Sequence, residues 1–264
     1  MIVADDSSTD ETAALARAHG AHVVAIEGRG FAGGARNAGR AAASGELVVF
    51  LDADVTPAAG WSAALVRAAQ EFPGAIIGCA RTFSAHTPWE WVAHLQVETP
   101  YLARGAPRDV PFVSAFCIAV PRTVSLRWDE SYGGEDAFFS ADARAAGVRI
   151  VFDPRIVAAH EHERSTFAEL RAQQRRLAYG MARAARAGVL PRNRRFFTRV
   201  PVHYFLLLRL PGIYRRLAAE PELRRRFVSL LPRLALAEWT LGASAVRYAL
   251  APPEPRGGKQ PSFT

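Results

Sequence analysis

Asp52 and Asp54 stand one residue apart, directly after the apolar run Leu47-Val48-Val49-Phe50-Leu51 and before Val55-Thr56-Pro57. Five apolar residues in succession read as a buried strand, and Pro57 suits the first turn of a new helix. The two carboxylates therefore sit where a strand leaves a sheet, the place where open α/β sheets bind ligands. Two carboxylates on such a turn can share a hard divalent cation, and a cation held by oxygen ligands neutralises a diphosphate. Arg36, inside the glycine-rich stretch Gly30-Phe31-Ala32-Gly33-Gly34-Ala35-Arg36-Asn37-Ala38-Gly39, is suited to pair with phosphate. Glu135-Asp136 follows Gly133-Gly134. A carboxylate there, within reach of a hydroxyl, is a natural general base. His160 and His162 flank Glu161 at the end of a strand-like run, where a histidine taken alone reads as a surface or capping residue.

The elements that must position these groups alternate between strand and helix. Strands are expected near 1–4, 21–26, 46–51 and 75–79, with helices near 9–19, 34–43 and 58–72. This alternation argues for a mostly parallel sheet. Ser8 and Glu11 have the spacing of a capping box at the first helix, and Gly20 closes it. Asp6 and Asp10 are expected to cap the same helix. Later strand-like runs near 112–120 and 148–152 flank the Glu135-Asp136 pair. Helices resume near Thr166, interrupted by Gly188, Pro191, Pro211, Pro221 and Pro232. No internal repeat is present.

Taken in order, Asp5-Asp6-Ser7-Ser8-Thr9-Asp10, Ala35-Arg36-Asn37-Ala38-Gly39, Asp52-Ala53-Asp54, Gly134-Glu135-Asp136 and His160 resemble the inverting glycosyltransferases of family 2. The resemblance covers about residues 1–165. It implies the GT-A fold, a Rossmann-like mixed α/β sheet that binds nucleotide-diphospho-sugars, followed here by a helical C-terminal region. It also implies transfer of a sugar from a nucleotide-sugar donor to a hydroxyl acceptor, with a divalent cation, Mn2+ or Mg2+, as cofactor. By the same resemblance, Asp136 is the catalytic base and Glu135 orients the acceptor or supports its loop. Asp5 contacts the base or ribose, Asp52 the ribose or the metal, and Asp54 and His160 the metal, with His162 the alternative to His160. Trp128, Trp89 and Trp91 are candidates to stack on an acceptor sugar or to be core aromatics.

Two departures from the family stand out. A strand ending in a Pro-x-Tyr-Asn-like turn, and the helix after it, are expected before the segment that begins at Met1. That turn holds the nucleotide base in the family, and a central strand cannot be lost without exposing its neighbours' backbone groups. At Phe112-Val113-Ser114-Ala115-Phe116-Cys117, Ser114 and Ala115 replace a glycine-containing loop. Two further readings belong to other classes: a nucleotidyltransferase of related fold, which wants a glycine-rich phosphate loop after its first strand, and a non-catalytic nucleotide-sugar-binding protein.

A chain of 264 residues that is 50% hydrophobic is long enough for a large core. Residues 1–165 read as the catalytic domain, 166–250 as a basic helical region and 251–264, rich in Pro and Gly, as a disordered tail. Cys79 and Cys117 lie in apolar segments and make no disulfide framework, and Met1 leads straight into a strand, so a cytoplasmic setting is expected. From Arg171 onward nineteen Lys and Arg face four Glu, a net +15, against −7 for the residues before it. Such asymmetry points to an anionic partner. The blocks Val200–Leu208 and Phe227–Leu231 beside the arginines fit an interfacial helix on an anionic membrane better than a nucleic-acid arm. The expected location is thus the inner face of the cell membrane, with a lipid-linked or cell-envelope glycan as acceptor. The competing expectation is that these apolar faces pack on the catalytic domain.

Overall fold

The computed structural model describes residues 1–26, 28, 30–161, 164–190 and 202–250. Strands β1 (Ile2–Asp5) and β2 (His22–Ala25) pair in parallel, Ile2 opposite His22 and Asp5 opposite Ala25. Helix α1 (Thr12–Ala18) connects them and buries none of its residues. The expected Ser8–Glu11 capping box does not form. The Ser8 N–H donates to Asp5 at 3.0 Å, and Glu11, at the N-cap, makes no side-chain cap. The nearer carboxylate has taken the turn's donor. Asp10 does accept the Thr12 N–H at 3.0 Å. Asp6 instead accepts the Gly30 N–H at 2.8 Å, tying the entry of helix α2 (Phe31–Ala42) to the end of β1.

The second sheet has the order β3 (Leu47–Leu51), β7 (Cys117–Pro121), β5 (Ile76–Thr82), β8 (Ile150–His160) and β4 (Val55–Pro57), with β6 (Arg108–Asp109) also on β8. It is mixed rather than mostly parallel. β5 and β8 run in parallel, but β7 lies antiparallel between β3 and β5, and β4 and β6 run antiparallel to β8. The expectation failed because β7 does not follow a crossover helix in the alternating pattern. Pro57, expected to open a helix, ends β4 instead, because its segment pairs with residues 158–160 of β8; helix α3 starts later (Trp61–Glu71). Register in β5–β8 jumps from Cys79↔Asp153 to Ala80↔Val157, and the irregularity takes up Pro154, which has no ladder donor. Among the described residues β1 pairs only with β2 and β3 only with β7, so each keeps an edge with no strand beside it.

Strand alternation sends Val48, Phe50, Ile118 and Val120 to one buried face, with Trp128 and Phe139. Ile77, Cys117, Ala119 and Val151 go to the other, under Leu65 and Ala68 of α3. Each fully buried side chain of this size contributes about 1.5–3 kcal/mol. Helices α4 (Pro88–Val97) and α6 (Phe167–Arg186) both begin with complete capping boxes, Thr87 with Glu90 and Thr166 with Glu169; each such cap is worth about 1 kcal/mol.

Helices α7 (Val202–Phe205), α8 (Leu210–Arg216), α9 (Pro221–Ser229) and α10 (Leu231–Leu250) follow. Ile213, Leu217, Phe227, Leu230 and Leu234 pack with Val92 and Leu95 of α4 and Leu170 of α6. A buried polar network crosses the same interface: Glu238, with no exposed surface, accepts from Gln96 Nε2 at 2.8 Å and from Arg209 Nη1 at 3.0 Å. The apolar blocks are therefore divided. Phe227 and Leu230 are core, whereas Val228, Phe205, Leu206 and Leu208 are exposed; positions 200 and 201 lie outside the described residues, as does the expected tail 251–264. The Arg224 and Arg226 guanidinium groups lie over the Tyr214 and Trp91 rings at 4.2 and 4.0 Å, so two of the clustered arginines cover aromatics. Trp89 packs on Phe167 at 4.9 Å, which places Trp89 and Trp91 at this helical interface. Among the described residues no helix is long and apolar enough to cross a membrane.

Candidate active site

The site forms where β3, α2 and α5 (Glu135–Ala145) converge. Leu51 is the last paired residue of β3, opposite Cys117, and the Asp52 N–H continues the ladder to the Phe116 carbonyl at 2.9 Å. The chain then turns, with the Val55 N–H on the Asp52 carbonyl at 3.2 Å. Val55 pairs with His160, and the Glu161 N–H reaches the Asp54 carbonyl at 3.0 Å. This register is what sets Asp54 beside the end of β8.

The two aspartates are divided between different partners. Asp52 Oδ1 accepts from Arg36 Nη2 at 2.7 Å, and Arg36 Nη1 donates to Glu135 Oε1 at 3.0 Å. Asp54 Oδ2 instead lies 3.3 Å from His160 Nε2. Arg36 thus bridges two carboxylates from different elements, one of them 99 residues from Arg36 in sequence, and its own side chain is only 11% exposed. Charge-assisted pairs of this kind are strong when both partners are held. Trp128 forms the floor beneath Arg36, whose Cζ lies 4.9 Å from its ring centroid. The ring is stacked on Phe139 at 3.9 Å, meets Phe50 edge-on, and is 2% exposed. Trp128 is therefore a core residue under the site rather than a platform open to a sugar.

The loop Trp128–Gly134, which delivers Glu135 and Asp136, is clamped from two helices. From α2, Asn37 Nδ2 donates to the Trp128 carbonyl at 3.0 Å and Asn37 Oδ1 accepts its N–H at 2.9 Å. Gly33 lies so close that a Cβ there would stand 1.9 Å from the Asp129 carbonyl oxygen. From α6, Arg183 pairs with Asp129 and donates to the Gly133 carbonyl. Gly134, at φ +81°, presses on Gly180, with an added Cβ 2.8 Å from the Gly180 carbonyl oxygen. Only glycine combines that backbone with that contact. Glu135 and Asp136 then occupy the first turn of α5, where the helix dipole favours negative charge.

Burial, followed by repulsion from Asp136, raises the Glu135 carboxyl to about 7, although Arg36 pulls it down. His160 is held above its usual range: burial lowers it, but Asp54 and Glu98 outweigh that effect. Glu98, at the end of α4, was not expected. Its Oε1 lies 3.8 Å from His160 Nδ1 and its other oxygen pairs with buried Arg81. Arg81 also donates to Ser114 and covers the Phe116 ring at 3.8 Å, so the Phe112–Cys117 segment forms a wall behind His160. Nothing in the sequence around Glu98 or Arg81 marks them, since a buried ion pair is created by tertiary contact.

The expected site residues thus fall into two joined groups. Arg36, Asp52, Glu135, Asp136 and Trp128 are together, and so are Asp54 and His160. Asp5 joins neither; its carboxylate holds the Ser8 N–H at the end of β1. His162 lies outside the described residues. Among the described residues no three metal-binding side chains cluster, because Asp52 has turned to Arg36. Asp54 and His160 nevertheless fit a divalent ion: two ligands bound at about 2.1 Å and roughly a right angle apart are about 3 Å from each other. Mg2+ and similar ions commonly use one or two protein ligands and complete their shell with substrate phosphates.

Residues 1–127 match the family model Glycosyl transferase family 2, so the expected resemblance is borne out, and the match includes Asp5, Arg36, Asp52 and Asp54 but stops before Glu135. An uncharacterized glycosyltransferase of Mycobacterium tuberculosis (strain H37Rv) is 38% identical over 94 residues, 36% of this chain and 42% of that one. The chain thus spans less than half the length of the curated relatives it matches. The mannosyltransferase PcManGT from Pyrobaculum calidifontis, solved with GDP-Man and Mn2+, superposes with a TM-score of 0.62 at 20% identity, covering 96% of this chain and 78% of that one. TarS residues 1–349 from S. aureus, solved with UDP-GlcNAc, gives 0.52 at 16% identity over 95% and 82%. At these identities the two structures establish the fold, a GT-A mixed sheet with a helical C-terminal region.

The raised Glu135 carboxyl has a thermodynamic signature. Between about pH 4.5 and 7 the unfolded chain has released this proton while the folded chain keeps it, so folding stability falls across that window. In urea titrations at steps of pH from 5 to 8, Glu135→Gln should lack this fall. Its stability relative to the parent should rise with pH by on the order of 1–3 kcal/mol. A difference that stays flat with pH would place the Glu135 carboxyl at an ordinary value.

Proposed function

Because residues 1–127 carry the sequence of glycosyl transferase family 2, we propose that the chain moves a sugar from a nucleotide-sugar to a hydroxyl acceptor with inversion at the anomeric carbon. The observation that carries this reading is the division of the Asp52-Ala53-Asp54 turn: one carboxylate on Arg36 and Glu135, the other on His160. A cation-binding pair and a phosphate-suited arginine are thereby joined to a carboxylate pair by one short turn. In the reaction, the bond from the anomeric carbon to the diphosphate oxygen breaks and the electron pair leaves with the diphosphate. The acceptor oxygen forms the new bond from the opposite face and yields its proton to Asp136. Glu135, fixed by Arg36, orients the acceptor, and Arg36 offers its charge to the leaving group as Asp52 relaxes. A divalent cation, Mn2+ or Mg2+, held by Asp54 and His160 would supply further neutralisation of the diphosphate charge. Asp5 is assigned to the nucleoside end.

The acceptor is proposed to be lipid-linked or part of a cell-envelope glycan, with the chain resting on the cytoplasmic face of an anionic membrane. What supports this is the exposed group Phe205, Leu206, Leu208, Leu236 and Trp239, in which the Trp239 indole N–H is tied to the Phe205 carbonyl at 3.1 Å, in a segment rich in arginine.

Calorimetry with UDP and GDP, with and without Mn2+, tests the site directly: binding should be metal-dependent, and Asp54→Ala should abolish that dependence. Metal-independent binding unchanged in the variant would remove the cation from Asp54. Asp136→Asn should leave donor affinity nearly intact and lower turnover about 100-fold or more; parental turnover would end its assignment as the base. Vesicles rich in anionic lipid should sediment the protein, with a salt-resistant fraction that Leu206→Ser with Leu208→Ser removes, since apolar contact is not screened. Equal sedimentation with neutral vesicles, or none with either, would refute the membrane assignment.

A further inference from the structure

A second set of cations reaches the same site from the exit of β8 and from α6. Arg164 lies four residues after His160, and its Nη1 is buried with no hydrogen-bond partner among the described residues. The charges acting on it are those of Arg176 and Arg81 on one side and of Glu98 and Asp54 on the other. Both acids are already engaged, Glu98 with Arg81 and Asp54 with His160. Burial and the charge of Arg176 accordingly hold the Arg164 pKa below the usual arginine range. Arg176 itself is exposed on α6, one turn before the Gly180 contact with Gly134, and hydrogen-bonds the Tyr132 phenol. Two guanidinium groups of like charge thus lie within electrostatic reach of each other, and one donor of Arg164 is left unsatisfied in a half-buried position. Such a pair is unfavourable unless an anion joins it, and the planar guanidinium fork matches phosphate oxygens in particular.

We infer that Arg164 and Arg176 form a phosphate-binding pair beside Asp54, distinct from Arg36, that grips a phosphate group of one of the two substrates. This rests on the sugar-transfer reading above and extends it, because the phosphate has two sources: the diphosphate of the donor, or a phosphate monoester carried by the acceptor.

The full chain, titrated with GDP or UDP plus Mn2+ and with glycerol 1-phosphate, distinguishes them. Arg164→Gln and Arg176→Gln should each weaken one class of probe by about tenfold or more. If the donor is the source, nucleoside diphosphate loses affinity in the variants and displaces glycerol phosphate from the parent. If the acceptor is the source, glycerol phosphate binds the parent alongside saturating nucleoside diphosphate, and it alone loses affinity in the variants. Should Arg164→Gln fail to fold, Arg164→Lys keeps the charge, removes the fork and should give the same pattern with a smaller drop. Variants with parental thermal midpoints that bind both probes like the parent overturn this pair and leave the transfer reaction standing. A parent chain that binds neither probe overturns both.

Discussion

The guanidinium of Arg36 is the contact on which the candidate site depends. Asp52, Glu135 and Asp136 bring three carboxylates close together at the edge of a hydrophobic core, and like charges in a half-buried place repel strongly. Arg36 offsets that repulsion by bonding two of them at once, and Trp128 supports it from below. Its geometry explains why α2 must lie where it does. Gly33 lets the helix approach the 129 carbonyl, and Asn37 fixes both backbone groups of Trp128. One helical turn therefore carries the contact, the charge and the clamp. The same compensation is incomplete at Glu135, whose carboxyl still titrates near neutrality.

The helical region after β8 is also part of the site's mechanical support. α6 docks Gly180 on the Gly134 turn and sends Arg183 to Asp129, beneath the loop that presents Glu135 and Asp136. Farther along the chain, the buried Glu238 network fastens α10 to α4, and the end of α4 supplies Glu98 to His160. A chain of packed and hydrogen-bonded elements thus runs from the basic C-terminal helices to the back of the candidate cation pair.

Much of this was legible in sequence where the signal is local. The apolar run ending in Asp52-Ala53-Asp54 marked a strand end, and Arg36 stood in a glycine-rich helix start. The pairing of Asp54 with His160 was legible only through family resemblance, because it arises from the β4–β8 register, over a hundred residues apart in the chain. Glu98, Arg81 and Arg183 were not visible, since buried ion pairs leave no periodicity. Trp128 stays open in sequence between a sugar platform and a core aromatic, because an aromatic near acidic residues reads the same whether its faces are open or stacked on Phe139. The Ser8–Glu11 spacing failed for a local reason: Asp5, three residues before Ser8, competes for the same turn.

The separation of β1–β2 from the larger sheet has a consequence for dynamics. No residue of β1, β2 or α1 is fully buried, whereas Ile76, Ile77, Ile118 and Val151 in the larger sheet have no exposed surface. The free energy needed to open a segment locally scales with the contacts it must break. The small lobe that carries Asp5 should therefore exchange its amide hydrogens through sub-global openings, while the inner strands β5, β7 and β8 exchange only on global unfolding. The end of the cleft assigned to the nucleoside is thus built on a softer sheet than the end assigned to the chemistry, so that ordering of the first lobe becomes part of the work of binding.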